Sequence, residues 1–272
     1  MLFRSNVFLS SETAASEAAD WTVYSAGGSS DGFLHFDSKT VKFGSLSGNL
    51  YFNAMSYSKN VLEIGALNKD MSLGGSFCYS DGQDSKGNWR VRGNGNDIRK
   101  VGTGNLTLAA NRVRNVFLAN GVVTLAHGTN SVHQETRYTF EGGTMAITGR
   151  YDDGETVDYS DPSALIVDSA SPICFSNAVG EVHTWSTALA DSNEGGLVKK
   201  GEGTLTLTAA PLYTGTTYLD GGVLKMPVAK RVKTHVEGKR VVRSFETFND
   251  VGYTVYRLVD GEAPLPTVLF LR

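Results

Sequence analysis

One phrase occurs twice in this chain, and it restricts the fold more than any other feature. Residues 98–108 read Ile-Arg-Lys-Val-Gly-Thr-Gly-Asn-Leu-Thr-Leu, and residues 199–207 read Lys-Lys-Gly-Glu-Gly-Thr-Leu-Thr-Leu. In both copies Gly-x-Gly stands before a stretch in which leucine alternates with a polar residue. This period of two predicts a strand with leucines on one face and polar residues on the other. A single such strand cannot bury its apolar face, so neighbouring copies must cover it.

A longer repeat surrounds the phrase. Residues 77–81 (FCYSD) resemble residues 173–177 (ICFSN), and each cysteine is followed by a tryptophan, at Trp89 and Trp185. The Gly-x-Gly phrase comes next, after Lys100 in one copy and Lys200 in the other, and a glycine-led strand follows it. Because these features come in the same order in both segments, we interpret the segments, roughly residues 56–126 and 157–226, as a tandem duplication.

Glycine-led strands also recur at a shorter spacing, about every twenty residues, which is the size of one coil of a β-solenoid. Glycine accounts for 31 of the 272 residues and proline for only 6, as expected for strands joined by tight corners. We therefore predict an all-β solenoid. An antiparallel sandwich, which also alternates, is the alternative, and the fixed order of the long repeat favours the solenoid. The glycines and leucines that carry the predicted repeat are Gly102, Gly104, Leu106, Leu108, Gly201, Gly203, Leu205, Leu207 and Gly222.

The two ends differ in composition from the middle. We predict an N-terminal cap or tail at residues 1–20, where only residues 10–20 have helix-forming composition, then the solenoid at 21–226 and capping strands at 227–272. Residues 227–243 carry six basic residues and one acidic residue. We interpret residues 236–241 within them as a hairpin with a charged rim that protects the open end of the solenoid. A basic ligand-binding patch is the alternative.

The charge balance argues against several partners. Lys and Arg number 25 and Asp and Glu 28, so the net charge of −3 predicts neither nucleic-acid nor anionic-membrane binding. No run approaches the ~18 apolar residues of a membrane helix, and the first twenty residues lack the apolar core of a signal peptide.

Metal and disulfide chemistry is not predicted. Cys78 and Cys174 would lie roughly five coils apart, on the order of 24 Å, whereas a disulfide needs Cα atoms within about 7 Å. We expect two separate buried thiols. The five histidines show no ligand spacing; His127 and His133 flank a probable loop that we interpret as exposed and polar, with metal binding as the alternative. We expect no cofactor.

Acidic residues cluster between the two halves of the duplication. Residues 151–161 contain five carboxylates, which we interpret as a solvated loop; a calcium site is the alternative, although the segment has no EF-hand or nonapeptide spacing. Paired carboxylates such as Asp152 and Asp158 would suit a polysaccharide-acting enzyme, but any chain this acidic supplies pairs. A sugar-stacking strip is one interpretation of the aromatic residues, with Trp89 and Trp185 as possible glycan-stacking residues. The simpler interpretation is that these two tryptophans cover the core or a coil edge. The aromatic residues of the strip are Tyr51, Tyr57, Trp89, Tyr138, Trp185 and Tyr213.

Residues 195–226 (GGLVKKGEGTLTLTAAPLYTGTTYLDGGVLKM) resemble the autotransporter-associated β-strand repeat over about thirty residues. The copy at 98–126 resembles it less well, since NRVRN stands where YTGTT is expected. The resemblance implies a right-handed parallel β-helix, with no catalytic residues, of the kind found in bacterial surface or secreted proteins. The 46 residues after 226 are too few for the membrane barrel of an autotransporter, so we expect no membrane insertion by this chain.

The expected function is therefore non-enzymatic. A stacked solenoid is long and stiff, which suits a secreted or cell-surface spacer or adhesion module whose partners are surface glycans or host ligands. A carbohydrate-binding or carbohydrate-active protein of the lyase or glycosidase kind is the alternative. A filament built by end-to-end stacking of coils is a third possibility, and we expect a monomer.

Overall fold

The fold was obtained as a computed structural model, which describes residues 7–9, 15–24, 34–36, 40–55, 60–83, 85, 89–94, 96–109, 113–126, 136–148, 157–158, 165–248 and 251–261. All regular structure in these ranges is β-strand. The strands are β1 Val7–Leu9, β2 Asp20–Tyr24, β3 Leu34–Phe36, β4 Thr40–Phe43, β5 Ser45–Met55, β6 Asn60–Ile64, β7 Met71–Gln83, β8 Trp89–Asn94, β9 Asn96–Lys100, β10 Asn105–Leu108, β11 Val113–Leu118, β12 Val122–Ala126, β13 Arg137–Phe140, β14 Thr144–Thr148, β15 Val157–Asp158, β16 Leu165–Ile166, β17 Ile173–Ser176, β18 Val182–Trp185, β19 Leu197–Lys200, β20 Thr204–Leu207, β21 Thr217–Leu219, β22 Val223–Met226, β23 Val232–Lys233, β24 Lys239–Phe248 and β25 Val251–Asp260.

These strands form three sheets. Sheet 1 follows the order β1-β3-β5-β7-β10-β12-β14-β17-β19-β21-β23, with β2 beside β5 and β8 beside β7. Sheet 2 follows β16-β13-β11-β9-β6-β4, and sheet 3 follows β15-β18-β20-β22-β25-β24. Pairing is parallel except for β7 with β8, β22 with β25 and β24 with β25. The predicted parallel β-helix is confirmed, and the sandwich alternative is wrong because the sheets are built from parallel neighbours.

Each coil contributes strands to neighbouring sheets. In the first copy, β9 belongs to sheet 2, and the chain turns through the Gly-x-Gly corner into β10 of sheet 1 before β11 returns to sheet 2. In the second copy, β19 belongs to sheet 1, and the equivalent corner leads into β20 of sheet 3. The repeated phrase therefore leads the chain into sheet 1 in the first copy and out of sheet 1 in the second.

The interior is a set of apolar columns that run through the parallel ladders. Leu106 pairs with Met71 on one side and Val123 on the other, and Leu207 pairs with Trp185. All five side chains are buried. Because parallel pairing without a register shift places like faces above one another, each coil covers the apolar face of the next.

The ends of the described chain differ from the prediction in detail. Residues 15–19 form a turn, with the Ala19 N–H donating to the Ser16 carbonyl, and residues 1–6 and 10–14 lie outside the described residues. The hairpin predicted at residues 236–241 is wrong: residues 236–238 form a turn between β23, which pairs with β21 in sheet 1, and β24 of sheet 3, which begins at Lys239. The hairpin is formed by β24 and β25, and β25 pairs antiparallel with β22.

Candidate functional site

A buried lysine occupies the first Gly-x-Gly corner. Lys100 ends β9 and faces the interior, where its register partners are Ile64 and Leu118. Its side chain is fully buried, and Nζ donates to the carbonyl oxygens of Val101 at 2.6 Å and Gly102 at 2.9 Å. These carbonyls point inward because the chain reverses direction at the corner. The lysine thus satisfies acceptors that the strand ladders leave free.

The second corner repeats the arrangement with Lys199. Its Nζ donates to the carbonyls of Lys200 at 2.6 Å, Gly201 at 2.9 Å and Gly221 at 3.3 Å, and the side chain is fully buried. The sequence interpretation aligned Lys100 with Lys200, and this is wrong because Lys200 is exposed. The alternation of inward and outward residues identifies Lys199. It stands two residues after the inward Leu197 and two before the first glycine of the corner. Lys100 has the same spacing from Ile98 and from its own corner glycine.

Burial changes the acidity of both corner lysines. It lowers the pKa of each ammonium group from the ordinary 10.5 to about 8, with the carboxylates of Asp70 near Lys100 and Glu202 near Lys199 opposing the shift. Taking an ammonium out of water disfavours its charged form. The corner lysines therefore lose their protons at a lower pH in the folded protein than in the unfolded chain.

This difference predicts a pH-dependent stability. Between pH 8 and 10.5 the unfolded chain holds protons that the folded protein has released, so the free energy of unfolding rises with pH across this window. The contribution of Lys199 is on the order of 1–3 kcal/mol. We expect the stability difference between the wild type and Lys199→Met, measured by urea unfolding, to grow from pH 8 to 10.5. A difference that stays constant over this range would contradict the prediction, and Lys200→Met is the control.

The corner glycines are required by close backbone approach between coils. Gly201 has φ +71°, and a Cβ placed there would lie 2.2 Å from the Asn177 carbonyl oxygen. Gly102 has φ +69°, and its Cβ would lie 2.0 Å from the Gly65 carbonyl oxygen. No side-chain carbon fits at such distances, so stacked corners exclude every residue except glycine at these positions.

The remaining residues of the repeat phrase take alternating positions. Leu106, Leu108, Leu205 and Leu207 are buried, whereas the polar residues between them are half-buried on the outer face. Three further glycines complete the two corners, where a Cβ would lie 2.1–2.3 Å from a carbonyl oxygen of the adjacent coil: Gly104, Gly203 and Gly222.

Three of the aromatic residues considered for a surface strip have described side chains, and all three are buried. Trp185 is 1% exposed and its ring centre lies 5.7 Å from that of Phe175, so the glycan-stacking role considered for it is wrong. Tyr138 and Tyr213 are also buried. The backbone of Trp89 lies in the antiparallel pair of β7 and β8, and its side chain is outside the described part, as are the side chain of Tyr51 and the whole of Tyr57.

The two cysteines occupy separate strands of sheet 1. Cys78 lies in β7 and Cys174 in β17, four strand-to-strand steps apart, or ~19 Å. Cys174 is a free, buried thiol, and the Thr144 hydroxyl lies 3.3 Å from its Sγ. The prediction is confirmed for Cys174; the side chain of Cys78 lies outside the described residues.

Most of the acidic and histidine candidates cannot be placed. His127, His133 and residues 151–156 and 159–161 lie outside the described ranges, and of Asp158 only the backbone is described, paired with Thr184. Within the described part of the chain, no three His, Cys, Asp or Glu side chains converge in a way that would hold a metal ion. This part also has no helix long and apolar enough to cross a bilayer.

Charges on the outer face of sheet 2 form a ladder. Lys42, Glu63 and Arg99 are register partners on β4, β6 and β9. The Lys42 ammonium lies 3.0 Å from Glu17 and 3.3 Å from Glu63, and Arg99 lies 2.7 Å from Glu141. Exposed pairs of this kind contribute roughly 0–1 kcal/mol each. The opposite charges of the ladder therefore neutralise one another, and we do not interpret this face of sheet 2 as a ligand site.

A basic groove lies where the last coils meet the C-terminal segment. It has a volume of about 330 Å³ and is lined by residues 214–217, Lys230, Arg231 and Lys233. Lys230 is fixed in position, because its Nζ donates to the Tyr213 carbonyl at 3.0 Å and lies 4.0 Å from the centre of the Tyr213 ring. Arg231 and Lys233 are exposed.

Comparison with known proteins supports one assignment. Residues 197–226 match the family model described as the passenger-associated-transport-repeat, which covers β19 to β22 and the corner of Lys199. The searches of curated proteins and of solved structures found no match. The chain is thus a parallel β-helix in which residues 197–226 are similar to the passenger-associated-transport-repeat.

Proposed function

We propose that this β-helix is a non-enzymatic spacer or adhesion module that works outside the cell, either secreted or on the cell surface. The single observation behind the proposal is the continuous ladder of sheet 1, in which eleven strands follow one another from β1 to β23. At ~4.8 Å for each of its ten steps, such a ladder extends for ~48 Å. A stack of this length holds its outer faces at fixed positions without any reactive centre.

The interior supports a mechanical role. Its columns are apolar, and the two corner lysines donate to corner carbonyls inside the stack, Lys100 to Gly102 and Lys199 to Gly201. Several described carboxylates are engaged in ion pairs, among them Glu63, Asp97 and Glu141. The pair of Arg114 with Asp97 and that of Arg99 with Glu63 link neighbouring coils, which supports a structural role.

Surface labelling of intact cells tests the proposal. We expect antibodies raised against the purified chain to label source cells without permeabilisation, or to detect the chain in the medium, since an adhesion or spacer module must face outward. A cytoplasmic protein of the same cells serves as the control for leakage. Signal that appears only after permeabilisation, with none in the medium, would show that the proposed location is wrong.

A further inference from the structure

The basic groove gathers positive charge in one small cavity. Its lining contains three cationic side chains and three threonines but no carboxylate. Neither Arg231 nor Lys233 has an ion pair with a carboxylate of the described residues. Exposed cations such as Lys42 and Lys69 pair with carboxylates, whereas Lys200, an exposed cation without such a pair among the described residues, does not line the groove. The groove therefore presents positive charge that the described protein leaves unbalanced.

The acidic residue nearest in sequence to this groove is already engaged. Asp220 accepts hydrogen bonds from the backbone N–H of His235 at 2.7 Å and from the Thr234 hydroxyl at 3.4 Å. Its second carboxylate oxygen lies 2.8 Å from Nδ1 of His235, whose ring stacks on Tyr218. Both oxygens of the Asp220 carboxylate are therefore engaged by Thr234 and His235, and Asp220 does not line the groove.

The walls of the groove are rigid, which favours binding. The Lys230 backbone N–H donates to the Tyr256 hydroxyl at 2.8 Å, and that hydroxyl donates to the Lys230 carbonyl at 2.7 Å. Lys233 lies in β23 and pairs with Tyr218 of β21. On the opposite wall, Leu197 donates its N–H to the Thr216 carbonyl, which ties the threonine segment to β19. A ligand would therefore meet a backbone that is already ordered, and the entropic cost of binding falls mainly on the exposed side chains of Arg231 and Lys233.

We propose that this groove binds an anionic oligosaccharide through its carboxylate or sulfate groups. Arg231 and Lys233 would bind the anionic group by charge-assisted hydrogen bonds, and the Thr214 and Thr216 hydroxyls would contact sugar hydroxyls. The groove is at the small end of ligand sites, so it accepts one or two sugar units of a longer chain. The inference rests on the proposed surface role and deepens it by naming the ligand class.

The overall charge favours a sparsely charged glycan over nucleic acid. The chain carries a net charge of −3, and positive charge is concentrated in the segment at 227–243, so the basic surface is short compared with the phosphate backbone of a nucleic acid. A glycan with one acidic group on each sugar, or fewer, places its charge in the groove and uncharged rings elsewhere. This difference in charge per unit favours an acidic saccharide over a nucleic acid as the ligand.

Calorimetric titration of the purified chain tests the inference. The probes are a short galacturonic-acid oligomer, a sulfated oligomer of the same length and the methyl-esterified uronate as the uncharged control. We expect binding of at least one charged oligomer and none of the ester, with affinity falling as salt rises from about 50 to about 200 mM. Preference for the uronate or for the sulfated oligomer identifies the anionic group. Equal binding of the ester, or no binding of either charged oligomer, would overturn the proposal.

Variants with matched charge locate the site. Arg231→Gln with Lys233→Gln should weaken binding at least about tenfold, whereas Lys239→Gln with Arg243→Gln should change it by less than about threefold. Both pairs remove two exposed cations from the same C-terminal segment, but only the first pair lines the groove. Equal losses would show unspecific charge attraction and overturn the site.

A short DNA that binds more tightly than either oligomer, with the same dependence on the groove variants, would overturn the saccharide assignment. These assays use purified protein, so their failure leaves the cell-labelling result unaffected.

Discussion

Replacing Gly201 by alanine is expected to destabilise the protein by roughly 3–5 kcal/mol. Two costs add up at this corner. Gly201 has φ +71°, which L-residues adopt at a cost of about 1–2 kcal/mol. The new Cβ would also lie 2.2 Å from the Asn177 carbonyl oxygen, which accepts the Gly203 N–H at 3.1 Å. To relieve the overlap, the coils must separate and stretch the hydrogen bonds between them.

Gly238 supplies a matched control for this experiment. Its φ is +72°, nearly the same as that of Gly201, but no atom lies within 4 Å of the position where a Cβ would be added. We expect Gly238→Ala to cost only about 1–2 kcal/mol, the backbone cost alone. Urea unfolding followed by tryptophan fluorescence measures both variants. Equal losses would mean that the stacking of coils does not crowd the corner, contrary to the structure.

Replacing Lys199 by methionine is expected to lower the free energy of unfolding at neutral pH by about 2–4 kcal/mol. Methionine fills a similar volume but donates no hydrogen bond, so the carbonyls of Gly201 and Gly221 lose their donor inside the stack, while the Lys200 carbonyl keeps the Asn177 N–H at 3.3 Å. Relief from burying an ammonium group offsets part of this loss. The loss remains large because two acceptors are left unsatisfied at once.

The neighbouring residue provides the control. Lys200→Met makes the same chemical change one position away, on an exposed side chain, and should alter stability by less than about 0.5 kcal/mol. Lys100→Met should behave like Lys199→Met, because Lys100 makes the equivalent contacts in the first copy. If Lys199→Met were as stable as Lys200→Met, the corner lysine would not contribute to stability as proposed.

The strands themselves were accessible from sequence because their signal is local. The segments at residues 204–207, 223–226 and 144–148 alternate in period two, and each is a strand whose inward residues are buried, such as Leu205, Leu224 and Met145. Parallel stacking followed from the long repeat, since a strand with one apolar face needs equivalent neighbours above and below. Side-chain roles that depend on distant contacts were harder to predict. For Trp185 the sequence left glycan stacking open beside a position that covers the core, and packing against Phe175 places it in the core.

The sequence by itself determined the strands and the glycine corners, because period-two alternation and the repeated phrase are local signals, and the fixed order of the repeat favoured a stack of coils over a sandwich. Only the tertiary structure decided which lysine enters the interior, and at which junction of sheets each phrase turns. Both depend on contacts between coils: Lys100 stacks between Ile64 and Leu118, and Gly221 contributes an acceptor to Lys199 from one coil further along the chain. The same is true of the basic groove, where residues 214–217 meet Lys230, Arg231 and Lys233 because β23 pairs with β21.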